Sequence, residues 1–477
     1  MAEDIHKFTD MLHESEEGGY WWIPGSDERI AGTLSYTPLE GLHLRLMGSL
    51  FPHAESLTHD RVPTVQGYLL TGKAVTLVGC LRSEALLSIP GYFTEAYCPK
   101  CAFVGWHFAG EAEAKFERID YLVHNAECCM GVSGFDNKAL LTAVSDRAKG
   151  LPLHYTYPPK RKCKVGSFGI TASWNCLVSG LSDTWRTLRE QLWFQAEAEK
   201  GMPYLDFLKG PLSSIHMLLT LAADEWLPIK KVVGYSSKCR RDESDPGTSR
   251  VPVHLLWGQA LHLPPPAPKS HFELAFTLAS LGNRLGAVLR QLHRFKAEYD
   301  ATSSTLNLLL RHEKQLPWNH QFTSLVYGLE SYHRRRFPKG DLTPGRHARR
   351  LKAILNAAPS KDRDWLESRL QYANEVPLRR RMRELCDLLP AQIQEMLGDT
   401  KAFVNAVVTT RNYMTHFDRS LRAKALSGGA LLQCITRLGL VLRTLILREM
   451  RFTDQEIATM AKRLKYAQRI NILTGQP

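Results

Sequence analysis

The chain lacks any run of about 20 apolar residues, the length a bilayer-spanning helix needs. Its longest apolar stretch, Leu431 to Leu447, is broken by Arg437 and Arg443 and reads as a buried amphipathic helix, so no membrane partner is expected. The first residues, Met1-Ala-Glu-Asp-Ile-His-Lys7, carry acids and no apolar signal core, and a cytoplasmic location is the expectation. Cysteine is sparse, ten in 477 residues, and Cys80, Cys163, Cys176, Cys239, Cys386 and Cys434 are scattered, several of them inside apolar runs. That argues against a disulfide framework and for small buried thiols in a reducing compartment. No internal repeat and no long low-complexity tract stands out. With 44% hydrophobic and 23% charged residues, the composition is that of a globular chain, not a disordered one. Acid is also in short supply: 48 Asp and Glu face 61 Lys and Arg, a net charge of +13, which suits a polyanionic partner; nucleic acid and anionic membranes would both fit the charge, and nucleic acid is the expectation.

Two patterns follow one another along the chain. The first part alternates with period two: Ile30, Gly32, Leu34 and Tyr36, then Leu42, Leu44 and Leu46 after a turn at Pro38–Gly41. Tyr68 to Leu77 reads as a hairpin with Gly72-Lys73 at its tip, and further strands are expected near 103–108, 116–123 and 167–175. From about Asp183 the period changes toward 3.6. Trp185, Leu188 and Leu192 share one helical face, and Leu212, Ile215, Leu218, Leu219 and Ala222 another. A strand at 251–257 precedes the clearest linker, Pro264-Pro-Pro-Ala-Pro268. Helices are then expected at 272–299, 318–337, 346–357, 362–373, 378–389, 400–416 and 426–450. The fold class is α+β: an N-terminal domain over 1–265, antiparallel and β-rich to about 180 and helical or mixed over 181–265. A linker and connecting helix over 266–310 lead to an all-α bundle over 311–477.

Residues 331–383 hold fifteen Lys and Arg against five Asp and Glu, a net +10 that is most of the chain's excess. Arg334, Arg335, Arg336, Arg379, Arg380 and Arg381 are the densest part, and with Arg346, Arg349, Arg350 and Arg383 they read as a surface that tracks phosphates. Downstream lies Arg411-Asn-Tyr-Met-Thr-His416. An RNA 2′-hydroxyl can attack its own phosphate if a base takes its proton, an acid serves the leaving oxygen and a cation holds the phosphoryl charge. His416 can serve as base or acid, and Arg411 as the cation, without a metal. Spacing alone is weak, because eighteen histidines in an Arg-rich chain give about one or two such pairs by chance. On an ideal helix Asn412 and His416 share a face, whereas Arg411 lies about 140° from His416. The helix must end or bend there, or Arg411 must reach across it, or Arg411 and His416 of two subunits meet in one cleft. Tyr413 either stacks on an unpaired base or packs in the bundle.

The segment Val404–His416 resembles the late motif of the HEPN superfamily of helical bundles. Phe322–Arg334 is similar to that family's first helix, and Leu378–Leu385 to the segment before its active helix. Trp21-Trp-Ile-Pro-Gly25, Ile30–Leu34, Glu40–Leu44, Gly48–Leu50, Thr76-Leu77 with Cys80, and Gly105–Phe108 resemble the N-terminal domain of ApeA-like abortive-infection proteins. The resemblance implies a dimeric endoribonuclease that cuts cellular RNA, with tRNA the expected target, when a phage-derived trigger appears. Arg411 and His416 would be catalytic and Asn412 an accessory polar group. The alternative is a non-catalytic module that binds RNA or a partner and dimerises through the same helix.

Cys98-Pro-Lys-Cys101 has the spacing of half a zinc knuckle, which Cys128, Cys129 or His124 could complete. The readings are a structural zinc apart from catalysis, or two free thiols on a turn; no cofactor is expected for the reaction itself. His107 reads as a packed or edge histidine. Thr71-Gly-Lys73 has the Gly-Lys pair of a phosphate loop but not its leading glycine or following helix, so it reads as a hairpin tip. Glu330 is expected to pair with Arg334 along a helix.

Overall fold

The computed structural model describes residues 8–51, 59–87, 93–136, 154–180, 187–241, 249–259, 267, 269–312, 315–464, 466 and 469–470. The chain divides into two compact units, Met1–Ala223 with Leu227–His293, and Asp224–Trp226 with Arg294–Pro477. The proline run at 264–268 lies almost wholly outside the described residues.

The N-terminal unit carries one continuous antiparallel sheet. Its strands are β1 (Ser15–Trp22), β2 (Ile30–Thr37), β3 (Gly41–Leu46), β4 (Arg61–Leu69), β5 (Ala74–Leu87), β6 (Phe93–Cys98), β7 (Cys101–Val104), β8 (Lys115–Val123), β9 (Arg161–Val165), β10 (Phe168–Ser179), β11 (Thr187–Pro203), β12 (Ile229–Tyr235) and β13 (Val253–Leu256). The order β4-β1-β2-β3-β6-β5 closes on itself through β4–β5 pairing and makes a six-stranded barrel. Closure removes the edges that would otherwise invite other strands. The 14-residue β5 is long enough to pair twice on its second side, with β7 over Val75–Val78 and with β6 over Leu81–Leu87. Through β7 the sheet continues as β13-β12-β8-β11-β10-β9.

The barrel interior follows from the period-two pattern. Ile30, Gly32, Leu34 and Tyr36 of β2 are buried in alternation with more open neighbours. Trp21 is fully buried, and Gly67 leaves room for its ring: a Cβ there would lie 2.3 Å from Cε3. Glu95, on β6, is buried as well. It accepts hydrogen bonds from Ser49 Oγ (3.0 Å), Leu50 N (3.1 Å) and Tyr97 OH (3.0 Å), which ties the segment after β3 to the wall.

One expected helix is a strand. Thr187–Pro203 forms β11 and pairs with β10 and β8. Leu188 and Leu192 suit a helical face, but Leu192, Phe194 and Ala196 are buried in strict alternation, and that period decides the structure. The glutamates and alanines around them are helix formers by propensity and are overridden by the ladders on both sides. The second expected helix does form, as α1 (Ser213–Ala223). Over 272–284 the expected helix is replaced by short 3-10 turns. Gly282 sits there at φ 52°, a left-handed conformation that stops helix propagation, and the helix α2 begins at Leu285 and runs to Glu298.

The helical unit takes the end of α2 and then α3 (Asp300–His312), α4 (Trp318–Arg336), α5 (Pro344–Ala357), α6 (Arg363–Leu370), α7 (Leu378–Asp387), α8 (Ala391–Leu397), α9 (Thr400–His416), α10 (Gly428–Glu449) and α11 (Asp454–Ala461). Helix α4 packs on α3 and α10. Gly328 permits the close approach to α3, where Thr302 Oγ1 donates to the Gly328 carbonyl at 3.0 Å. Helix α10 is long and apolar enough to cross a membrane by length and composition, but 78% of its apolar window is buried inside the protein. Arg443, which interrupts that window, is 1% exposed and bonds to Asp224 at 2.6 Å, with Tyr466 under its guanidinium at 4.2 Å. A cation within an apolar core survives only when so partnered.

Candidate active site in the helical unit

Helix α9 carries the Arg-x4-His pair at its C-terminal end. Asp399 caps the start, accepting from Lys401 N (2.8 Å) and Ala402 N (3.1 Å), and Phe403, Val404, Val407 and Val408 bury one face. The helix stops at His416 because Phe417 adopts φ 51°. A left-handed conformation is uncommon for a bulky residue and costs about 1 kcal/mol or more. It is held by Phe417 N–H donating to the Tyr413 carbonyl at 2.7 Å, and the chain beyond is drawn back by Leu426 N–H donating to Thr410 Oγ1 at 3.0 Å.

Arg411 is half-buried, and its Nη1 donates to the Oδ1 of the neighbouring Asn412 at 3.4 Å. It has no carboxylate partner among the described residues. A partly desolvated cation without a counterion is suited to receive an anion. His416 is exposed. The nearby Asp418 carboxyl is held below the usual carboxylate range, first by hydrogen bonds from Ser420 and to a smaller extent by the charge of His416. The helix is unbroken from Arg411 to His416, so the two groups diverge by about 140° and are offset by about 7.5 Å along its axis. They make no contact with each other within one chain. Of the three geometric options, a bend between them is removed.

Tyr413 is half-buried, sits 6.1 Å from the Phe417 ring, and lines a cavity of about 550 Å³ with Trp318, His320, Met414 and Leu426. Trp318 and Phe417 stand exposed at 43% and 72% beside it. His320 and Trp318 come from the first turn of α4, more than ninety residues before Tyr413, and no spacing in the sequence announces them.

The arginines of the basic stretch are not equivalent. Arg381 is buried; its Nε donates to the Val376 carbonyl at 2.7 Å and Nη1 to His333 Nδ1 at 3.3 Å, so it cannot track phosphates on the surface as expected. The amphipathic spacing of α7 turns this one arginine inward with Met382, Leu385 and Cys386. His333 is fully buried too, and its Nε2 donates to Glu384 at 2.6 Å. Burial pushes its pKa below the ordinary imidazole value despite the pull of Glu384. Arg334 is engaged by Glu330 (3.1 Å) and Glu375 (2.8 Å), the former as expected, and Arg336 by Glu449 (3.5 Å). Arg380 pairs with Glu384 at 2.7 Å and with Asp341, and Arg379 donates to Asn405. Arg335, Arg346, Arg349, Arg350, Lys352 and Arg383 are exposed and have no carboxylate partner among the described residues.

Among the described residues the Cys98–Cys101 half-site is not completed by further ligands. Cys98 and Cys101 flank the β6–β7 turn, with Cys98 Sγ 3.5 Å from His43 Nδ1 and Cys101 buried, its thiol pushed up to about 12 by burial. Cys129 bonds instead to the Leu219 carbonyl, and among the described residues no three His, Cys, Asp or Glu side chains come together to hold a metal. All ten cysteines are free.

Along the chain, a β-rich domain with a barrel and an extended sheet is followed by an all-helical domain, and these two define the class of protein. The model of the family ApeA N-terminal domain 1 matches residues 16–292, and that of Apea-like HEPN matches 323–456; the chain belongs to the ApeA-like family of anti-phage defence proteins with a C-terminal HEPN domain. HEPN domains are generally ribonucleases. No curated protein and no solved structure matches the chain.

Proposed function

We propose that this protein is a metal-independent endoribonuclease that cuts cellular RNA, with tRNA the expected target, during phage infection in the cytoplasm. The observation that carries the reading is Arg411, half-buried without a carboxylate partner among the described residues, on one unbroken helix with the exposed His416 inside the Apea-like HEPN match. Arg411 holds the charge of the phosphoryl transition state. His416 moves the proton on or off the 2′-hydroxyl and leaving oxygen, and Asn412 orients the Arg411 guanidinium. Because the two groups diverge on the helix, the working site takes Arg411 from one subunit and His416 from another, which makes the active form a homodimer. The exposed cations Arg335, Arg346, Arg349, Arg350 and Arg383 hold the RNA backbone, and the Tyr413 cavity receives a base. A phage-derived trigger releases the activity.

The same divergence favours a second reading, a non-catalytic HEPN module that dimerises through α9 and binds RNA without turnover. Purified wild-type and His416→Ala proteins incubated with total RNA separate the two. Cleavage is expected from wild type alone, unchanged by EDTA, with products ending in 2′,3′-cyclic phosphate. Equal cleavage by His416→Ala protein refutes the assignment.

A further inference from the structure

The N-terminal unit holds a cavity of about 560 Å³ where the β4–β5 hairpin tip, the turn after β7 and the start of β13 meet. Two glycines shape it. Gly72 closes the hairpin tip at φ 80°. Gly105, at φ 124°, lets the chain leave β7 against Pro252, whose carbonyl a Cβ would meet at 2.5 Å. The volume suits a small ligand.

Its lining has one chemical character. Among the described residues, Lys73 and Arg241 supply cationic groups, His107 and His254 supply imidazoles, Tyr68 and Trp106 supply aromatic faces, and no carboxylate lines the cavity. Lys73 is half-buried and forms no ion pair among the described residues. Burial lowers its pKa, with Glu17 pulling upward and Lys231 pushing down. A partly dehydrated ammonium facing a cavity that no carboxylate lines among the described residues is stabilised by an incoming anion. His107 is fixed: its Nε2 donates to the Gly67 carbonyl at 2.9 Å, and its ring stands edge-on to Tyr68 at 4.7 Å and to Trp22 at 5.3 Å. Burial lowers its pKa, and these contacts fix the ring as an oriented wall. Tyr68 is half exposed and available as a stacking surface.

We propose that this cavity is a binding site for a nucleoside phosphate, its phosphates held by Lys73 and Arg241 and its base laid against Tyr68 and Trp106. This is not a phosphate loop, since no helix follows Lys73; charge and aromatic surface converge from separate strands. The proposal concerns the N-terminal unit alone and does not rest on the ribonuclease reading.

Isothermal titration of the full-length protein with ATP, GTP, CTP and UTP, and with pyrophosphate as the base-free control, tests it. At least one nucleoside triphosphate is expected to bind, with pyrophosphate weaker by about tenfold or more. Lys73→Met, at a half-buried position, and Arg241→Ala, at an exposed one, are each expected to weaken that binding by about tenfold while the melting temperature stays that of wild type. Trp106→Ala is expected to weaken the nucleotide and leave pyrophosphate unchanged. Three results overturn the proposal: no nucleotide binds the wild type; pyrophosphate binds as tightly as the best nucleotide; or both basic-residue variants bind as the wild type does, which places the nucleotide elsewhere.

Discussion

Mixing two inactive variants separates a site held within one chain from a site shared between two. Arg411→Ala and His416→Ala are each expected to lose about 10²- to 10⁴-fold in RNA cleavage, the usual effect of removing a charge-stabilising group or a proton-transfer group. In a shared dimer, one cleft joins Arg411 of the first subunit to His416 of the second, and the other cleft joins the reverse pair. A heterodimer of the two variants therefore has one cleft with both groups missing and one with both intact. Random exchange of equal amounts makes half the dimers mixed, so the mixture regains about one quarter of wild-type activity. If Arg411 instead reaches around its own helix, every cleft in the mixture lacks one group and nothing is regained. The structure favours regain, because α9 is unbroken through His416 and sets the two side chains about 140° apart. The assay is cleavage of a fluorophore–quencher RNA by each variant and by the mixture, after subunit exchange is verified with two differently tagged chains. A mixture that exchanges fully yet cuts no faster than either variant refutes the shared cleft.

The remaining expectations concern the framework. Asp224→Ala leaves Arg443 charged and without its carboxylate inside the core, and is expected to cost about 3–5 kcal/mol by denaturant titration, whereas Asp224→Leu with Arg443→Met recovers most of it. His333 has a folded pKa below its unfolded value near 6.5, so the unfolded chain takes up the proton first. Its contribution to stability is present above about pH 6.5 and is lost as pH falls toward and through the folded pKa, with a slope of up to about 1.4 kcal/mol per pH unit. Stability curves at several pH values are expected to show this slope in wild type and to lack it in His333→Gln. Arg381→Ala is expected to lower the melting temperature. Arg346→Ala with Arg350→Ala leaves the melting temperature alone and weakens RNA binding in a salt-dependent way, measured by fluorescence anisotropy. The opposite assignment of effects would show that the exposed α5 cations are not the RNA surface.

The fold was legible wherever one periodicity stood alone. The strands β2, β8 and β10, the Gly72-Lys73 hairpin tip and helix α9 lie where the pattern puts them, and in β2 and α9 a single buried face carries the period. It misled where two readings coexisted. In β11 the sequence Gln-Ala-Glu-Ala-Glu-Lys has the composition of a helix, and only the ladders to β10 and β8, whose partners are tens of residues away, select the strand. Barrel closure was beyond reach for the same reason. It depends on β4 pairing with both β1 and β5, a fact about three segments at once.

The candidate site was legible as a motif and illegible as a surface. Arg411 and His416 carry their chemistry in their identities, but their spacing is no more than chance provides, and the family resemblance around them is what singles them out. The basic stretch does not, since net charge counts every arginine alike and says nothing of partners. Arg334, Arg336 and Arg380 are met by carboxylates from Glu330, Glu375, Glu449, Asp341 and Glu384, three of which lie more than thirty residues from the arginine they meet. Arg381 has left the surface altogether. A cation already paired gains little by meeting a phosphate, because it must first give up an anion it holds. The charge available to RNA therefore shifts from the densest arginine clusters to α5 and its neighbours. Helix α5 has four cations, no acid in its span and no buried residue, and on the proposed RNA-binding reading the salt dependence is expected to originate there.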